Sequence, residues 1–279
     1  MLRAATVFLC ALVPLVAADF ALLKLIPPDA NVIAGARVDR AKDSVFGRYV
    51  LTHMQSDDPE FQRFVADTGF DALRDASEVV MASNGAGIKN HGVVIARGNF
   101  KASKMTDAVV FLDPTTVVLG DPDAVKAVVA RHASKPVSAL LDGAREASAG
   151  NDFWFATTAP LAEFAAKMPD AALGDILQKL SMLPGIAQVS GGLRFGETVV
   201  LNAEVLMDSE KNAEGLADVL RFVASFVQTS VQEDPAAVQM AAMLAGMEIK
   251  TDGRLLHLTL KMPEAQIEKV LAAAGQDKL

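Results

Sequence analysis

"DPTTVVLGDPDAVKAVVAR", Asp113 to Arg131, joins a turn, a strand-like run and a helix-like run, and how it is read decides the fold. Asp113-Pro114 is a turn pair, and "TVVLG" has the β-branched character of a strand. Asp121 then stands where a helix cap belongs and Pro122 at the first helical position. Val125, Val128, Val129 and His132 follow at the spacing of an inward face. A strand feeding a helix start is also where phosphates bind. Here Asp121 and Asp123 put negative charge at that helix start and Pro122 removes an N–H donor, which opposes a phosphate. The stretch reads as scaffold.

A second copy supports that reading. "VVFLDPTTVVLGDPDAVKAVVA" (109–130) and "MEIKTDGRLLHLTLKMPEAQIEKVLA" (247–272) both run strand, Asp-led turn, strand, Pro-acidic-Ala, amphipathic helix. The hairpin from Ala187 to Met207, with the long helix after Asp208, is a third version without the proline. Further strands are expected at "NVIAGARV", "SEVVMAS", "HGVVIARG" and "NDFWFATT". Helices are expected at "DSVFGRYVLTHM", with Phe46, Tyr49, Val50 and His53 on one face, at 58–69, at "PLAEFAAKM", at 172–183 and at "PAAVQMAAMLAG". After Asp208 the apolar stripe is Leu216, Val219, Leu220, Val223, Phe226 and Val227.

Each half therefore reads β-α-α-β-β-(α)-β-β-α, an internal duplication by pattern. The expected class is α+β: two related halves, each an antiparallel sheet of hairpins covered on one face by helices. The first half spans 19–145 and the second 150–279. The boundary falls in "LLDGAREASAGN", where the apolar pattern lapses.

Residues 1–18 read as a secretory signal. Arg3 supplies the positive start, an apolar run follows to Val13, and Ala18 with Val16 suits cleavage. The run is too short for an ordinary membrane span. Cys10, the chain's single cysteine, lies inside it, so the mature chain is expected to hold no disulfide, thiolate metal site or cysteine nucleophile. The expected location is the periplasm or the exterior. Without Arg3 the remaining 261 residues carry 25 basic and 34 acidic groups, a net charge of −9. With one Trp and one Tyr and no basic cluster, nucleic-acid binding is disfavoured. No later apolar stretch is long enough for a stable membrane span.

Around "ARGNF" (96–100) and "VVLGDPDAV" (117–125), the chain resembles uncharacterised exported bacterial proteins of acidobacterial type that pair such hairpin–helix units. That resemblance carries no activity and no catalytic residues to transfer.

Motifs for chemistry are few. His53, His91, His132 and His257 make no metal-ligand spacing, and no cofactor motif is present. Met240, Met243 and Met247 fall at i, i+3 and i+7 on one helical face, the chemistry of a Cu(I) site, although core filling explains them as well. No G-x-S-x-G elbow occurs; Ser190 in "VSGG" falls in a hairpin. The leading expectation is a non-enzymatic exported binding or protein-interaction module with its ligand where the halves meet. The alternative is a carrier of an apolar ligand, a lipid or acyl chain, in a cavity between helices and sheet. A second alternative is a hydrolase whose dispersed site would use the strand-end residues Arg37, Asp39, Arg97 and Arg194.

Overall fold

The hairpins join edge to edge into one antiparallel sheet of ten strands. The structure is a computed structural model and describes residues 20–55, 66, 72–85, 92–100, 109–131, 140–165, 178–179, 181–230 and 246–267. The signal segment with Cys10, the helix expected at 58–69, most of that at 172–183, His91, His132, Met240 and Met243 lie outside the described residues.

The first half contributes β1 (Val32–Arg37), β2 (Ala76–Ser83), β3 (Val93–Gly98), β4 (Val109–Asp113) and β5 (Thr116–Gly120). The second contributes β6 (Phe153–Thr157), β7 (Ile186–Arg194), β8 (Thr198–Met207), β9 (Met247–Asp252) and β10 (Leu255–Pro263). Outward from the middle, the order is 1-2-3-5-4 on one side and 6-7-8-10-9 on the other. The duplicated pattern is thus built as two mirrored strand orders meeting at the antiparallel pair β1–β6. The two sheets expected from sequence are halves of one.

The α-helices are α1 (Phe20–Leu23), α2 (Val38–Asp43), α3 (Val45–Gln55), α4 (Ala72–Asp75), α5 (Pro122–Arg131), α6 (Leu140–Gly150), α7 (Leu161–Ala165) and α8 (Glu210–Ser230) among the described residues. They lie on both faces of the sheet. Side chains alternate along each strand, so two faces can be followed across the register. On the Trp154 face, α1, α5 and α6 cover Ile33, Val80, Ile95, Val118 and Ala156. On the opposite face, α2 and α3 cover Ala36, Val79 and Phe153, and α8 covers Val205, Leu256 and Leu258.

The opening stretch folds as its residues dictate. Asp113 Oδ1 accepts from the Thr115 amide and hydroxyl, both at 2.7 Å, closing the β4–β5 turn. Asp121 Oδ1 accepts from the amides of Asp123 and Ala124 and caps α5. Val125 and Val128 are fully buried, each worth about 1.5–3 kcal/mol, but Val129 is 39% exposed and Ala124 takes the inward place.

Three further expectations are corrected. The lapse at "LLDGAREASAG" is helix α6, whose buried stripe is Leu140, Leu141, Ala144, Ala147 and Ser148, small residues that let it lie close to the sheet. In α8 the inward side is Ala213, Leu216, Ala217, Leu220 and Ala224, while Val219 and Val223 are 48% exposed. In α3 the buried side is Gly47 and Leu51, and Tyr49 is exposed.

Candidate polar pocket

Helix α6 ends where the two halves meet, and the residues there are polar. A pocket of about 150 Å³ is lined by Glu146, Ala147, Gly150 and Asn151 from the end of α6, and by Ser190, Gly191, Asn202 and Glu204 from β7 and β8. Two glycines make the close approach possible. A Cβ on Gly192 would stand 2.7 Å from Asn151 Cβ, and one on Gly191 would stand 2.9 Å from Ala203 Cα. A hydrogen-bonded chain ties the walls together. Asn151 Nδ2 donates to the Ala147 carbonyl at 2.8 Å, Asn202 Nδ2 donates to Asn151 Oδ1 at 3.1 Å, and the Thr259 hydroxyl donates to Asn202 Oδ1 at 3.2 Å.

One row of the register starts on the pocket floor with Ser190 on β7 and Glu204 on β8 and continues past it to His257 on β10 and Lys250 on β9. Glu204 Oε1 and His257 Nδ1 are 3.1 Å apart. Ser190 is 3% exposed, and its hydroxyl has no hydrogen bond among the described residues. The hydroxyl belongs to the pocket lining, where it is free to bond a ligand or water. The order matters for chemistry. Glu204 stands between Ser190 and His257, which are two strands apart, about 10 Å, whereas a nucleophile must touch its base.

Of the residues singled out from sequence, Arg37, Arg97 and Arg194 lie on the same face, nearer the ends of the strands, and Asp39 follows β1 in α2. Arg37 on β1 is opposite Glu78 on β2, and Glu78 is opposite Arg97 on β3. Asp39, in the first turn of α2, is exposed and accepts from the Arg40 amide. Arg194 ends β7, exposed, two strands from Arg37. Between them Asp152 is buried, and its Oδ2 accepts from the Phe195 amide at 2.8 Å. Arg37, Asp39 and Arg97 thus gather about Glu78, with Arg194 apart from them.

Glu78 gave no sequence signal beyond one acid in an apolar run. Burial pushes its pKa up to about 7, with Arg37 opposing and the charge of Asp39 adding to the rise. The Asp113 carboxyl is held below its usual range, chiefly by the Thr115 hydroxyl, with help from other hydrogen bonds and the Arg97 charge. Met247 opens β9, so it does not continue a helical face with Met240 and Met243. Among the described residues no group of three His, Cys, Asp or Glu is placed to hold a metal ion. No described helix is long and apolar enough to cross a membrane.

No family model matches the chain, and no curated protein matches it. Among solved structures, crystal form I of TP0453 is similar over 90% of this chain and 96% of that one. The identity is 9% and the TM-score 0.47.

Proposed function

We propose that the protein is a non-enzymatic binding module acting outside the cytoplasm, and that its ligand is a small polar cation held where α6 meets β7 and β8. The observation that carries this is the Ser190 hydroxyl, which lines a pocket bounded by Glu146 and Glu204 and has no hydrogen bond among the described residues. Two carboxylates and the C-terminal end of α6 make the local potential negative, which favours an ammonium over an anion. The amides of Asn151 and Asn202 and the Ser190 hydroxyl supply directional partners. The two carboxylates repel the carboxylate head of an acyl anion, which supports this reading over the apolar carrier. The separation of Ser190 from His257 by Glu204 supports it over the hydrolase.

Calorimetric titration of the mature chain tests the idea, with ethanolamine and dodecanoate as the two probes. Ethanolamine should bind, and Glu204→Gln should weaken it at least tenfold while the far-UV circular dichroism stays unchanged. Heat from dodecanoate alone would restore the apolar carrier. Silence from both probes would sink the pocket as a ligand site.

A further inference from the structure

The ten-stranded sheet has two edges, and they differ. At one, β4 pairs with β5 through a register irregularity between Phe111 and Asp113, a common way to blunt an edge. At the other, β9 runs in regular register along β10 from Met247 to Asp252.

Which groups of β9 point outward follows from one bond. The Met207 amide donates to the Arg254 carbonyl at 2.9 Å, so the even-numbered residues of β10 bond to β8 and the odd-numbered ones to β9. The register then makes Glu248, Lys250 and Asp252 the residues bonded inward to β10. Met247, Ile249 and Thr251 present both N–H and C=O outward. The Ile249 carbonyl bears this out: its hydrogen bond comes from Arg221 of α8, at 3.3 Å.

We propose that β9 pairs antiparallel with β9 of a second copy of this chain, about a two-fold axis at Ile249. In that register Ile249 exchanges two hydrogen bonds with its counterpart, and Met247 exchanges two with the partner's Thr251. Glu248 then lies opposite the partner's Lys250, and Lys250 opposite the partner's Glu248. These are close non-hydrogen-bonded positions, with Cα atoms about 4.5 Å apart.

Charge selects this register over its neighbours. Centring on Lys250 sets Lys250 against Lys250 and Glu248 against the partner's Asp252, and centring on Glu248 sets Glu248 against itself. Centring on Thr251 runs the pairing into the turn at Gly253, whose φ of 54° ends the strand. Like charges directly opposite disfavour the wrong alignments. Within one chain Glu248 accepts from Lys250 at 2.9 Å and from Lys261 of β10 at 3.1 Å, so its carboxylate must turn from Lys261 toward the edge to meet the partner's ammonium. Ile249, half-buried beside Leu258 under α8, becomes buried against its counterpart. Arg221 must leave the Ile249 carbonyl, which keeps the association reversible. The axis is perpendicular to the sheet, so both copies present their polar pockets on one face.

Sedimentation equilibrium of the mature chain and two variants decides the matter. The native chain should dimerise. Lys250→Glu and Glu248→Lys should each weaken their own dimer at least tenfold, because each places like charges opposite one another. Mixed together, the two variants restore complementary pairs, and the mixture should recover the native dimer. A native chain monomeric to millimolar concentration would overturn the proposal. So would a Lys250→Glu variant that dimerises as the native chain does, or a mixture that stays monomeric while both variants keep the native circular dichroism.

Discussion

Glu78 shows how far a single residue's chemistry can depend on neighbours that the sequence places far away. It is an acid in "ASEVVMAS", and nothing local marks it. The sheet sets Arg37 and Arg97 on either side, α2 adds the Asp39 charge, and burial does the rest. Its carboxyl is raised from 4.5 to about 7, so the folded chain holds a proton that the unfolded chain releases. Stability from this group therefore falls as pH rises from about 4.5 to about 7 and stays low above that. Glu78→Gln removes the titration. It should stabilise the protein at pH 8 by up to about 3 kcal/mol, the size of a shift of that magnitude, and by almost nothing at pH 4. Urea midpoints of both proteins at the two pH values measure this, and an equal gain at both would refute the buried-acid account.

Elements whose signal is local were legible in the sequence, and those defined by packing were not. The α5 cap was legible because Asp121 bonds amides two and three residues ahead. Helix α6 was missed because its buried stripe is largely alanine, which counts for little in hydrophobic periodicity but permits a close approach to the sheet. In α8 the large residues Val219 and Val223 drew the stripe away from the alanines that actually face the strands. The pocket was hidden for the same reason, since it exists only because α6 exists. Helix α3 shows a cap no local pattern could reveal. The Ser44 hydroxyl accepts from the Gly47 amide at 3.0 Å and donates to Glu264 at 2.5 Å, and Glu264 also accepts from the Phe46 amide at 3.0 Å. The residue that follows the last strand of the second half thus caps a helix of the first. Ser44, with smaller help from the backbone amides, holds the Glu264 carboxyl below its usual range. Its contribution is present above the unfolded pKa and is lost as pH falls through the lower folded one. Glu264→Ala should cost about 1 kcal/mol at pH 7, and the difference should shrink as pH falls through and below the ordinary carboxylate range. A constant difference across that range, read from thermal midpoints, would rule out the carboxylate as the cap.

At the scale of the whole molecule, the duplication was readable as pattern, but the way the copies join was not. Hairpin and turn signals act over a few residues, whereas the β1–β6 pairing is fixed by faces that match only in three dimensions. Gly35 lies opposite Trp154, whose indole occupies the space above it. Trp154 and Ala156 of the second half share one buried cluster with Ile33, Val80 and Ile95 of the first, and α6 covers that cluster. The halves therefore share a core, and two independent folding units would not. Two consequences can be measured. Urea unfolding followed by the fluorescence of Trp154, the chain's single tryptophan, should coincide with unfolding followed by far-UV circular dichroism, in one transition. A fragment of residues 19–139 lacks α6 and β6, leaves Ile33 uncovered and exposes β1 as a new edge, so it should fail to fold alone. A cooperative transition in that fragment would mean that the seam joins two finished domains, and the shared core would lose its role as the reason the copies stay together.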